Sequence, residues 1–170
     1  KQELGVREGQ KGERTYRNVI ANSLVPLLAA ICAFASGGEY YNLMAVAYIA
    51  SISVAAADTV ASEVGSLSPK VYMITTGKKV KAGIDGGISL EGTIACIIGG
   101  IAAAYLGCSL IFSELWGTEF IILGIIGIIG CMIDSLIGAT LERRGIVGKL
   151  GTNVISMACG AAIAITIWVL

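Results

Sequence analysis

Five apolar runs, joined by short polar links, decide what this chain can become. They cover residues 19–35, 42–64, 88–112, 120–141 and 153–170. A helix needs roughly 17–25 mainly apolar residues to cross a bilayer. Inside the bilayer, each segment must satisfy its own backbone N–H and C=O groups, so runs of this length and isolation form helices. The expected architecture is all-α, a polytopic transmembrane helical bundle with about five spans. Composition agrees. Charged residues make up 14% of the chain and mean hydropathy is +0.81, whereas a soluble domain carries roughly 25% charge.

The positive charges fix an expected orientation. Lys1, Arg7, Lys11, Arg14 and Arg17 precede the first span. Lys70, Lys78, Lys79 and Lys81 lie between the second and third, and Arg143, Arg144 and Lys149 between the fourth and fifth. These are all 12 Lys and Arg of the chain, and the other two links have none. The positive-inside rule then puts the N-terminus in the cytoplasm and the C-terminus outside, which needs an odd number of spans. The whole chain, 1–170, reads as one transmembrane catalytic domain of the cell membrane. Within it, 1–18 is a cytoplasmic polar segment and 65–87 a cytoplasmic loop. Tyr40, Tyr41, Trp116 and Trp168 fall at the expected outer boundary, where an aromatic belt belongs. Glycine-rich third and fourth spans allow close helix contact and homo-oligomerisation. The first residues are polar and show no signal peptide.

Several chemistries are disfavoured. Net charge is zero, which speaks against a nucleic-acid partner. There is no histidine, so the commonest general base and zinc ligand are missing. The five cysteines form no CxxC pair and read as small apolar residues.

Against this background the polar residues within spans stand out, because an ionisable group there costs several kcal/mol. Asp58 and Glu63 lie near the end of the second span, Glu91 near the start of the third, and Asp134 near the end of the fourth. Asn22 and Asn153 lie near the starts of the first and fifth. All six belong at the cytoplasmic end under the expected topology. A transporter would place polar groups near the midplane with access to both sides. A one-sided set fits an enzyme acting on a lipid headgroup with a cytosolic co-substrate.

Oxygen ligands without His or paired Cys suit a hard cation. Mg²⁺ takes one or two carboxylates plus phosphate oxygens and water, and Asp58 and Asp134 are the candidates. Ser62 shares a helix face with Asp58, four residues away. The alternative is that these carboxylates pair with Lys78, Lys79 or Arg143 to satisfy burial. In the link "TTGKKVKAGIDGGISLEGT", Lys78 and Lys79 can neutralise phosphate oxygens. Gly83, Gly86 and Gly87 allow positive φ and close backbone approach. Ser89 is placed to cap the third helix, whose N-terminus favours anions. Phosphoryl transfer needs mainly positioning and charge stabilisation. An alcohol acceptor would add the need for a base, supplied by Asp58, Glu63 or Asp134.

The blocks "ADTVASEVG", "TTGKKVKAGIDGGISLEGT" and "DSLIGATLE" resemble the membrane family of plant and cyanobacterial phytyl-phosphate kinase and animal transmembrane protein nineteen, known as domain of unknown function ninety-two. They are also similar to the CTP-dependent dolichol and phytol kinases. The resemblance covers nearly the whole chain. It implies a kinase that uses CTP and Mg²⁺ to convert a prenyl monophosphate to the diphosphate. Catalytic residues would be Asp58, Glu63 and Asp134, with Asp58 and Asp134 on the metal. Ser62, Lys78, Lys79, Asp85, Gly86, Gly87, Ser89, Glu91, Gly92 and Thr93 would hold the nucleotide. Asn22, Arg143 and Asn153 would lie near the prenyl phosphate. The family reads proline and threonine near "PGTDGG" where this chain has "AGIDGG", and "NDxVN" where it has Asn153-Val-Ile-Ser156. Family members carry further spans ahead of the first block, so the resemblance implies spans upstream of this stretch. Three rivals give different products: a kinase of the free prenol, a cytidylyltransferase releasing pyrophosphate, and a small-solute transporter.

Overall fold

The structure is a computed structural model that describes residues 16–112 and 117–170. It holds five long helices, α1 Tyr16–Ala35, α2 Tyr41–Gly65, α3 Leu90–Ile111, α4 Glu119–Ile137 and α5 Lys149–Val169. All five are long and apolar enough to cross a membrane, α4 counted together with the turn that extends it to Glu142. The expected spans match them closely. The polar segment 1–18 lies mostly outside the described residues, as does Trp116. Tyr40 and Tyr41 are exposed, whereas Trp168 packs on the core.

α2 is the hub and packs against each of the other four helices. Its inner positions are small, with Ala45, Ala47, Ala50 and Ala57 buried. Small residues let helix backbones approach where lipid provides no hydrophobic drive for association. At the contact with α4, a Cβ on Gly130 would overlap the Val54 side chain. The large residues point outward instead. Leu24, Leu27, Leu28, Ile31 and Phe34 are exposed along α1, and Ile94, Ile98, Leu106 and Leu110 along α3. This inside-out arrangement is what a lipid solvent selects.

α2 and α4 end where α1, α3 and α5 begin, so one end of the bundle gathers two C-termini and three N-termini. At this end the α2–α3 link is more ordered than a loop. It forms a small antiparallel sheet of β1 Val71–Met73, β2 Lys79–Val80 and β3 Gly87–Ile88, in the order β2-β1-β3. Tyr72 pairs with Lys79 on one side and Ile88 on the other. The β1–β2 turn closes through Gly77, at φ +64°, whose N–H donates to the Met73 carbonyl at 2.8 Å. Ser89 caps α3 as expected, its Oγ accepting from the Gly92 N–H at 3.1 Å. α4 runs on into a π-helical turn, Gly138–Glu142, of the kind often found at functional sites.

Candidate functional site

Between the small sheet and the ends of α2, α4 and α5 lies a cavity of about 420 Å³. That is within the usual range for small-molecule sites. Each wall has a local origin. α2 contributes Asp58, Ser62 and Gly65, spaced four and three apart on one helix face. α4 and its π turn contribute Asp134, Ser135, Gly138 and Glu142. The start of α3 adds Ser89, Gly92 and Thr93, and α5 adds Lys149.

The roof is the glycine segment Gly83–Gly87. Gly83 and Gly86 take φ of +82° and +78°, conformations that favour glycine. Gly86 sits so close to the π turn that a Cβ would run into Ala139, backbone included, and its N–H lies near Gly138. The turn of α4 and the loop therefore fit each other through small residues, and Asp85 is carried to the cavity edge between them.

The charges are tied together. Lys149 Nζ donates to Asp134 Oδ2 at 3.4 Å. The Asp134 side chain is 3% exposed and that of Lys149 39%. The Ser156 hydroxyl lies 3.2 Å from the other Asp134 oxygen. Thr152 Oγ1 donates to Glu142 Oε2 at 3.2 Å, which fixes the start of α5 to the π turn. Asp134, Asp58, Glu142 and Asp85 all act electrostatically on Lys149. Among the described residues, it is the single Lys or Arg that lines the cavity.

Behind this cavity, Asn153 Nδ2 donates to Asn22 Oδ1 at 3.0 Å and joins α5 to α1. Both amides line a small recess together with Asp58 and Ser156. Asp58 thus borders both spaces.

Of the residues expected in the site, Asp58, Ser62, Asp85, Gly86, Gly87, Ser89, Gly92, Thr93 and Asp134 line the cavity. The others lie elsewhere. Lys78 and Lys79 are exposed on the β1–β2 hairpin. Glu63 is exposed on α2. Glu91 is exposed at the start of α3, where its Oε2 accepts from Ser68 at 2.7 Å. Arg143 reaches the Met73 sulfur at 3.8 Å and is not among the residues that line the cavity. The ion pair on Asp134 comes from Lys149 rather than from Lys78, Lys79 or Arg143. Among the described residues, no three of His, Cys, Asp and Glu converge into a ready-made metal cage.

A family model for an integral membrane protein family, DUF92, matches residues 1–167. The chain belongs to the DUF92 integral membrane family. Two proteins described as uncharacterized membrane proteins are each 37% identical to it. One, from Methanocaldococcus jannaschii, aligns over 91% of this chain and 63% of its own length. The other, from Synechocystis, aligns over 98% of this chain and 65% of its own. The chloroplastic protein VTE6 of Arabidopsis thaliana is 32% identical over 97% of this chain and 51% of its own length. The chain thus spans between half and two thirds of the length of these relatives. No solved structure matches it.

Glu142 closes the family-like block "DSLIGATLE", but three features escaped the sequence reading: its bond to Thr152, Lys149 at the cavity lining, and Ser156, which borders the recess, as a partner of Asp134. A signal for two of them existed. Lys149, Thr152, Asn153 and Ser156 recur at three, four and seven residues, the spacing of one helical face. Assigning residues 149–152 to a loop hid it.

Proposed function

We propose that this protein is a CTP-dependent and Mg²⁺-dependent kinase that phosphorylates a prenyl, phytyl-like monophosphate to the diphosphate. The reaction would take place at the cytoplasmic face of the cell membrane. One observation carries the reading. A polar cavity, glycine-roofed and holding one lysine among four carboxylates, opens at one end of a bundle whose sides are apolar. A water-soluble nucleotide and a lipid headgroup can meet at such a boundary. The DUF92 motifs that the sequence shares with phytyl-phosphate kinase support the same assignment, and CTP as donor rests on that resemblance.

In this reading the triphosphate lies under Gly83–Gly87, where backbone can approach phosphate oxygens closely. The capped N-terminus of α3, behind Ser89, adds its partial positive charge. The lipid tail lies between helices, with its phosphate toward Asn22 and Asn153 beside Asp58. Arg143 would act from the surface near the headgroup. A phosphate oxygen of the acceptor attacks the terminal phosphorus of CTP, the bond to the bridging oxygen breaks, and CDP leaves. The acceptor is already an anion, so no histidine is required. Asp58 and Asp134 provide hard oxygen donors on neighbouring walls, which fits Mg²⁺ when phosphate and water complete its shell. The ion would neutralise charge on the phosphates.

The test is direct. Purified protein, CTP, Mg²⁺ and a short prenyl monophosphate should give CDP and prenyl diphosphate. Pyrophosphate release would replace this reading with a cytidylyltransferase. Transfer to the free prenol alone would replace it with a prenol kinase. Solute flux into liposomes without nucleotide, and no turnover, would point to a transporter.

A further inference from the structure

We propose that Lys149 is the cation that meets the phosphates in this cavity, and that in the ligand-free protein it is parked on Asp134. The inference rests on the reading that the cavity takes a nucleoside triphosphate. A polyphosphate entering a space already bordered by Asp58, Asp85, Asp134 and Glu142 needs positive charge within reach. Among the described residues, Lys149 is the one Lys or Arg at the lining. Lys78 and Lys79 face solvent on the hairpin, and Arg143 is turned to Met73.

The geometry suits a change of partner. The 3.4 Å contact to Asp134 is long for a charge-assisted hydrogen bond, which is normally about 2.7–2.9 Å. Over a third of the Lys149 side chain is open. It sits on a flexible four-carbon stem with three rotatable donors. The backbone beneath it is fixed, because Thr152 is held by Glu142. Movement is thereby confined to the side chain. Asp134 keeps a second partner in Ser156 when the lysine leaves, and one carboxylate oxygen then faces the cavity.

The experiment is binding of inorganic tripolyphosphate to the purified full-length protein in detergent, with EDTA present so that metal ligation plays no part. Melting temperature is measured on each variant. Lys149→Met should weaken binding about 10- to 100-fold, the scale of a lost hydrogen bond between charged groups. Lys149→Arg should recover most of it. Asp134→Asn should bind at least as tightly as wild type, because it releases the lysine. The double variant Lys149→Met/Asp134→Asn removes the buried unpaired carboxylate, should melt near wild type, and should still bind weakly. A purely structural pair predicts otherwise: Asp134→Asn would lose binding alongside Lys149→Met, and that result overturns the proposal. So does wild-type affinity in the folded double variant. If wild type binds neither tripolyphosphate nor Mg²⁺–CTP, the nucleotide reading itself fails and takes this inference with it. Wild-type binding that every variant retains removes the lysine's role alone.

Discussion

The α2–α3 link and the α4–α5 link carry most of the described positive charge at one end of the bundle, yet they hold it differently. Lys78 and Lys79 are exposed on the β1–β2 hairpin, where β2 is an edge strand of the small sheet. Lys149 opens α5 and is joined to α4 through Asp134, while Thr152 and Ser156 join the same two elements. A charge count sees two basic links of equal standing. Side-chain partners separate them: one lysine is built into the cavity wall, and two face water beyond it. A buried or half-buried charge acts through a low dielectric, whereas exposed charges are screened by salt over about 10 Å.

That difference can be broken or sharpened by substitution. Asp58 gives the upper limit, since it borders both the cavity and the recess behind it. Asp58→Asn should lower CDP formation by about 1,000-fold, roughly 4 kcal/mol in barrier, with the melting temperature little changed. Normal turnover would remove Asp58 from the reaction. Lys149→Met should lower kcat/KM by about 100-fold, and an effect no larger than that of the hairpin lysines would erase the contrast. Gly86→Val tests the roof. The branched side chain meets both a φ of +78° and the backbone at Ala139, a strain of about 1–3 kcal/mol. Activity should fall about tenfold or more while α-helix content by circular dichroism holds. Smallest should be Lys78→Ala/Lys79→Ala, with KM for CTP rising about two- to fivefold, kcat unchanged, and the difference fading at high salt. A kcat collapse in that double variant would put the hairpin inside the reacting complex.

The bundle was largely legible from sequence. Apolar runs of bilayer length leave a chain few alternatives, and Ser89 announced the α3 cap. The small sheet was not legible, because strands of two and three residues fall below any periodic signal and are set by the Gly77 turn and their pairing. Asp58 and Asp134 could be placed at one end, since helix direction alternates, and the cavity does join them. The Asn22–Asn153 bond could not be foreseen: both residues were suspect as polar groups in spans, but their pairing depends on α1 lying beside α5. Lys149 was misplaced because an apolar run marks where lipid begins, not where a helix begins. α5 starts four residues before its apolar run, with a polar first turn facing inward.

The π turn at the end of α4 has a consequence best expressed as phase. From Asp134 to Glu142 is eight steps along the chain, while two α-helical turns use roughly 7.2. A regular helix would carry Glu142 most of a residue past the line of Asp134. The wider turn of Gly138–Glu142 absorbs that surplus, which is how both carboxylates come to border one cavity. In this sense the bulge is an inserted residue that the fold has kept. A chain shortened by one position at 139–141 would leave seven steps from Asp134, close to two regular turns, so an unbroken α-helix would hold the same carboxylate toward the cavity and would lose only the wide turn against which Gly86 packs.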